Sequence, residues 1–171
     1  MFPSIYIDVM DGESFDLCAC GVDWGIRSPA AAVLVLRLKS GMYYAVNEVY
    51  DTDTDAISFA DRVRTMLEYE GVSSCPVWID ASTFNRVDGL VCVADRFAGV
   101  GLDVRPATRN RGRSLELLVD LFCRGVLVIS PACCQLLREL KMFRIGSDRN
   151  DHAVDALRYA VYAMEVSSCV V

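Results

Sequence analysis

The chain is short of the residues that common hydrolytic and zinc chemistries need. It has a single histidine, His152, among 171 residues, so any serine or cysteine hydrolase would have to be built on that one imidazole. No Gly-x-Ser-x-Gly elbow accompanies it. Cys133-Cys134 falls in a helical stretch without a paired histidine base, which argues against thiol catalysis there. No Cys-x-x-Cys pair is present, so a structural zinc site lacks its usual ligands. Apolar stretches fall short of the roughly 20 residues that cross a bilayer, and Met1-Phe2-Pro3-Ser4 lacks the basic start of a secretory signal. The expected setting is therefore intracellular and away from membranes. Also missing are internal repeats, low-complexity tracts and the Gly-x-x-x-x-Gly-Lys-Ser/Thr loop that cradles nucleotide phosphates.

What the chain does have is apolar residues: 53% of the total, ample for one core in a domain of about 100 to 200 residues. Eight cysteines contribute; Cys18, Cys20, Cys92 and Cys123 sit within apolar runs, where a free thiol is expected to act as a small buried hydrophobe. Residues 1–15 show no periodicity and are read as a linker remnant or extended N-terminus, with residues 16–171 as one domain. Apolar runs over Leu17–Trp24, Ala30–Lys39 and Met42–Tyr50, with turns at Gly25–Pro29 and Ser40-Gly41, predict an antiparallel meander. Strand and helix then alternate. Asp55–Glu70 is helical, with Phe59, Val63, Met66 and Leu67 on one face and Gly71 as its stop. Val77–Asp80 reads as a strand, Gly89–Ala98 as a helix and Leu102–Arg105 as a strand. The next helix has Leu115, Leu118, Val119 and Phe122 on one face and ends at Gly125. Val126–Ile129 is a strand, and Ser130-Pro131 supplies a cap and first-turn proline for a helix over Ala132–Phe143. A final helical run begins at Asp151. The expected fold class is α/β, a mixed sheet with a three-strand antiparallel meander and helices on both faces.

Acidic residues stand at the ends of these apolar runs. Asp23 ends Cys18-Ala19-Cys20-Gly21-Val22-Asp23, Asp80 ends Val77-Trp78-Ile79-Asp80, and Asp151 and Asp155 open the last helix. Each has a plainer reading: a strand end for Asp23, a turn cap before Ser82-Thr83 for Asp80, and a favourable helix-start charge for Asp151 beside an Asn150 cap. However, Asp155 lies four residues after Asp151 and three after His152, so one helical edge presents two carboxylates and an imidazole. Carboxylates converging at a sheet rim repel one another unless protons or a cation neutralise them, and the pattern reads as a divalent-cation site. Asp51-Thr52-Asp53-Thr54-Asp55 imitates a calcium loop, but Ala56 and Arg62 stand where that loop needs Gly and Glu. It is expected to be a solvated turn and helix cap. Net charge is −6, which opposes general affinity for nucleic acid. Arg105, Arg109, Arg111 and Arg113 nevertheless crowd one segment, and Lys141, Arg144 and Arg149 precede the last helix. These make a local basic rim suited to phosphate.

Gly21-Val22-Asp23-Trp24-Gly25, the strand-ending Asp80 and the late Asp151-His152-Ala153-Val154-Asp155-Ala156-Leu157-Arg158-Tyr159-Ala160 together resemble the nuclease domain of the large terminase subunit of tailed double-stranded DNA viruses. The similarity runs from about Phe15 to about Met164, and the late helix is its most specific part, since Gly-x-Asp-x-Gly also occurs in sugar kinases and actin-like ATPases. The resemblance implies an RNase H-like fold and an endonuclease cutting viral DNA concatemers through two Mg²⁺ or Mn²⁺ ions. It further implies Asp23 bridging the ions, Asp80 on one and Asp155 on the other, with Asp151 or His152 completing the set. Double-stranded DNA is the implied substrate, contacted by Arg105, Arg109, Arg111, Arg113 and Arg144. The implied partners are a terminase ATPase domain, which this chain's lack of a phosphate loop places elsewhere, a small terminase subunit and the portal. The host cytoplasm or nucleus is the implied location. Another RNase H-like nuclease of resolvase or transposase type, or a non-catalytic DNA-docking domain, are the alternatives.

Overall fold

Strand β2 (Ala30–Leu38) shows how the sequence builds both faces of the molecule at once. Ala30, Ala32, Leu34 and Leu36 point into one apolar core, and Ala31, Val33 and Val35 point into another, as the two-residue period of a strand buried on both faces requires. The computed structural model describes residues 14–25, 29–86, 90–143 and 151–168. Arg144, Arg149 and Asn150 lie outside them, as do residues 1–13.

β1 (Phe15–Asp23), β2 and β3 (Tyr43–Asp51) form the expected meander. β4 (Val77–Ile79) runs parallel to β1, β5 (Val104–Pro106) parallel to β4, and β6 (Leu127–Ile129) parallel to β3. The six-stranded order is β5-β4-β1-β2-β3-β6. Helices α1 (Ala56–Tyr69) and α2 (Val93–Gly99) cover the first core; α3 (Arg111–Cys123), α4 (Cys134–Met142) and α5 (His152–Ser168) cover the second. Phe15, assigned above to the linker segment, is already in β1.

In α1 the expected face is the buried one: Phe59, Val63, Met66 and Leu67 are all in the core, and Gly71 follows at φ 73°. Asp55 caps it by accepting from the amides of Ile57 and Ser58, so the calcium-like acidic run is a turn and cap, as read from its missing Gly and Glu. No helix among the described residues is long and apolar enough to cross a membrane.

Four local expectations are corrected. The second helix starts at Val93, where the Asp95 carboxylate accepts from the Cys92 amide at 3.2 Å and holds the first turn; residue 89 lies outside the described residues. In α3 the inward residues are Ser114, Leu118 and Leu121, while Val119 and Phe122 are exposed. Ser114 is turned inward because its hydroxyl receives a hydrogen bond from Arg158 of α5. Ser130-Pro131 does not start α4: the Ser130 hydroxyl accepts from Ala132 in a separate turn. The helix begins at Cys134, where both oxygens of Glu48 on β3 accept from Gln135 and Leu136 amides at 2.7 and 2.9 Å. A full negative charge at a helix N-terminus is favoured over a hydroxyl cap by the dipole and the exposed amides. Finally, Cys123 is exposed rather than buried, because α3 ends with that side facing solvent; the described cysteines are free thiols.

Candidate metal and nuclease site

The last helix meets the sheet where the sheet has no side chain. A Cβ placed on Gly21 of β1 would lie 1.8 Å from the Ala156 carbonyl oxygen, so only glycine lets α5 cross β1 at this distance. That close crossing brings the first turn of α5 over the end of β1, two residues beyond Gly21. Asp23 is the last residue of β1. Val22 pairs with Ile79 across the parallel ladder, and the Asp80 amide donates to the Val22 carbonyl at 3.2 Å. Asp23 and Asp80 therefore end adjacent central strands, which stand about 4.8 Å apart.

Each acid has a defined partner. Asp23 Oδ2 lies 2.7 Å from Nδ1 of His152. Burial pushes the Asp23 carboxyl above its usual range; the His152 bond and charge oppose this, while the charges of Asp155 and Asp80 add to it. The same bond raises His152 against the effect of its burial. Asp80 uses one oxygen to accept from the Ser82 amide at 2.6 Å, capping a 3-10 turn (Ala81–Phe84), and the other to accept from the Tyr159 hydroxyl at 2.9 Å. Burial alone would raise Asp80, but the bonds from Ser82 and Tyr159 and the charge of Arg109 hold it below the usual carboxylate range. Asp80 is thus a turn cap through one oxygen and is tied to α5 through the other.

Asp155 is gripped from two sides. Arg158 Nε donates to Oδ1 at 2.9 Å and Arg111 Nη1 donates to Oδ2 at 2.7 Å; Arg111 Nη2 also pairs with Asp151. Arg158 is 3% exposed, gives a second hydrogen bond to Ser114 at 2.7 Å, and lies 4.5 Å from the ring centroid of Tyr159. The start of α5 is itself held by Glu139 of α4, whose Oε2 accepts from the amides of Ala153 and Val154.

Of the residues singled out in the sequence, Asp23 meets His152, Asp80 ends the strand beside Asp23, and Asp151 and Asp155 meet Arg111. Among the described residues no three His, Cys, Asp or Glu side chains are grouped so as to hold a metal ion; each carboxylate instead engages a cationic or hydroxyl partner. The side chains there are mostly carboxylates, the oxygen donors that a hard divalent ion takes, and a guanidinium bridges two of them. The other basic residues are dispersed. Arg105, Arg109 and Arg113 are all exposed, and Arg105 pairs with Asp103 and lies over Trp78. Arg158, Tyr159, Ser114 and Glu139 were given no role from the sequence. The first two had a readable signal, since they stand three and four residues after Asp155 on its helical edge; Ser114 and Glu139 had none.

No family model matches the chain. A curated relative, the terminase large subunit of Escherichia phage T5, is 21% identical over 169 residues, covering 90% of this chain and 36% of that protein; the chain thus spans about a third of its relative's length. Solved structures with the same architecture include the P22 large terminase nuclease domain, with a TM-score of 0.74, 18% identity, and coverage of 88% of this chain and 81% of that one. The nuclease of the large terminase from thermophilic phage G20c superposes with a TM-score of 0.65 at 15% identity, covering 88% and 85%. The HK97 bacteriophage large terminase gives 0.63 at 10% identity, covering 95% of this chain and 43% of that one. With its central antiparallel meander, its parallel flanking strands and helices on both faces, the chain has the RNase H-like fold of the large-terminase nuclease domains.

Proposed function

We propose that this chain is a divalent-cation-dependent endonuclease domain that cuts double-stranded viral DNA during genome packaging. The observation that carries this reading is the placement of Asp23 and Asp80 on adjacent central strand ends, with Asp155 near enough for its charge to act on Asp23. Asp23, Asp80 and Asp155 would hold two Mg²⁺ or Mn²⁺ ions, with Asp151 or His152 completing the set. Bound there, such ions supply an activated water and stabilise the leaving oxygen of a phosphodiester.

The chain's own residues supply the rest. Gly21 sets the helix-to-sheet distance, Tyr159 and Ser82 fix the rotamer of Asp80, and Arg158 fixes that of Asp155. His152 holds Asp23 through Nδ1, so as found it orients that carboxylate. Arg109 and Arg113, exposed between β5 and the first turn of α3, offer charge to phosphates without reading bases, which suits cutting with little sequence preference. An acidic domain with so local a basic rim would bind DNA weakly alone. That fits delivery by the other parts of a packaging machine: an ATPase domain, a small terminase subunit and a portal.

The test is nicking of supercoiled plasmid in Mg²⁺ or Mn²⁺. Wild type should nick, and Asp23→Asn and Asp80→Asn should each lose cutting while keeping their circular-dichroism spectra. Undiminished nicking by both variants would remove these acids from the chemistry, and DNA binding without any nicking would favour a docking domain.

A further inference from the structure

Cys18 and Cys75 each stand five residues before a strand-ending acid, Asp23 and Asp80. Cys20 of β1 is aligned with Val77 of β4 in the parallel ladder, and its amide donates to the Pro76 carbonyl at 3.0 Å. Two residues back along both segments, that register sets Cys18 beside Cys75. Both side chains pack into the first core, since residues two apart along an extended chain share a face. Their sulfurs are close enough to share a hydrogen bond, and Cys75 has the Pro76 carbonyl as another acceptor at 3.7 Å. Neighbouring strands stand about 4.8 Å apart, inside the roughly 4.4–6.8 Å between Cα atoms that a disulfide spans. The two thiols differ in access: Cys75 is 1% exposed, whereas Cys18 is half-buried. The bond between them holds Cys18 below the ordinary thiol range and pushes Cys75 above it, while burial pushes the neighbouring Cys20 up to about 12.

We propose that Cys18 and Cys75 are a redox-closable pair, which hydrogen peroxide converts from two thiols into a disulfide tying β1 to the approach of β4. Cys18, the sulfur within reach of solvent, attacks one peroxide oxygen as its thiolate. The O–O bond breaks, and the leaving hydroxide recovers as water the proton that Cys18 had released. The Cys18 sulfur has then given two electrons to the peroxide and is a sulfenic acid. Cys75 attacks that sulfur, the S–O bond breaks, and the oxygen departs as water with the Cys75 proton. Two thiols and one peroxide thus give one disulfide and two waters. Cys20, fully enclosed and held as a thiol, takes no part. The link closes a loop that contains β2, β3 and α1, and it fixes the register of the two strands that end in Asp23 and Asp80. A thiol reductant reopens it.

Hydrogen peroxide on the folded full chain, followed by thiol blocking and a non-reducing tryptic map, tests the pair on wild type and needs no variant to fold. Cleavage after Arg27, Arg64 and Arg86 leaves Cys18 and Cys20 on one peptide and Cys75 on another. Those two peptides should be found joined, and dithiothreitol should release them. Cys20→Ala should still form the link and Cys18→Ala should not. Cys75→Ala should stop at a sulfenic acid on Cys18, which dimedone labels. Oxidised wild type should melt about 5 °C or more above the reduced protein, because the link narrows the unfolded ensemble, and Cys18→Ala should show no such shift. Three results each overturn the proposal: Cys18 and Cys75 remaining thiols while the exposed Cys123 and Cys134 are oxidised, a link that forms only in urea, or a melting temperature that the formed link does not raise.

Discussion

The carbonyl oxygen of Ala156 presses on Gly21 so closely that the smallest side chain would lie 1.8 Å from it. This contact sets the height of α5 above β1, and through it the meeting of Asp23 with His152 and with the charge of Asp155. Gly21→Ala must push backbone against backbone. Overpacking of this kind costs about 1–3 kcal/mol and occasionally more, and the rigidity of both partners places the expected loss at the upper end. Urea unfolding should show a lower midpoint at unchanged slope, and an unaltered midpoint would mean that α5 does not rest on Gly21.

Asp23→Asn should be at least as stable as wild type in chelator at neutral pH. Burial and the neighbouring Asp155 and Asp80 raise the Asp23 carboxyl, beyond what His152 restores. A carboxyl held above its usual range costs stability once it ionises, so deleting the charge relieves the fold. Wild type should gain from Mn²⁺ by mass action, by about 2.7 kcal/mol at a hundredfold excess over the dissociation constant. The variant should lose most of that gain. Thermal melts of both proteins with chelator and with Mn²⁺ give the comparison; a variant that is weaker in chelator and gains as much from Mn²⁺ would dissolve the cluster.

All four arginines of the basic segment are exposed, but Arg111 is engaged by α5 and Arg105 by Asp103. Replacing Arg109 and Arg113 with Ala should flatten the salt dependence of DNA retention by about 0.9 per lost phosphate contact in a plot of log affinity against log salt. Mn²⁺ affinity should change little. Filter binding across a salt series checks the slope, and an unchanged slope would make this an ordinary solvated segment.

Glu139 gives the fold a pH dependence. It is 4% exposed and accepts from two amides at the start of α5. Burial pushes its carboxyl above the ordinary 4.5, against the lowering pull of those amides and of His152. Because the folded state then holds the proton more tightly than the unfolded one, this contribution to stability is full below 4.5 and is lost as pH rises through the folded value. Relative to Glu139→Gln, wild type should therefore lose stability as pH climbs from acid toward neutral. Melting temperatures of the pair across that range should diverge in favour of the variant, and parallel curves would show that Glu139 does not titrate on unfolding.

The sequence by itself determined the strands, most of the helices and the location of the acids. The two-sided apolar alternation of β2, the strand-ending positions of Asp23 and Asp80, and the spacing of Phe59, Val63 and Met66 are local periodicities, and local periodicity reports local backbone geometry directly. Tertiary structure alone decided what each acid touches. His152 reaches Asp23 across 129 residues of chain and Arg111 reaches Asp155 across 44, so the arginine read as a phosphate contact is found on a carboxylate. The inward turn of Ser114, the Glu48 cap on α4 and the burial of Glu139 likewise depend on how neighbouring elements dock. Those pairings follow from the distance between packed surfaces, which Gly21 sets at one point and which no repeat along the chain encodes.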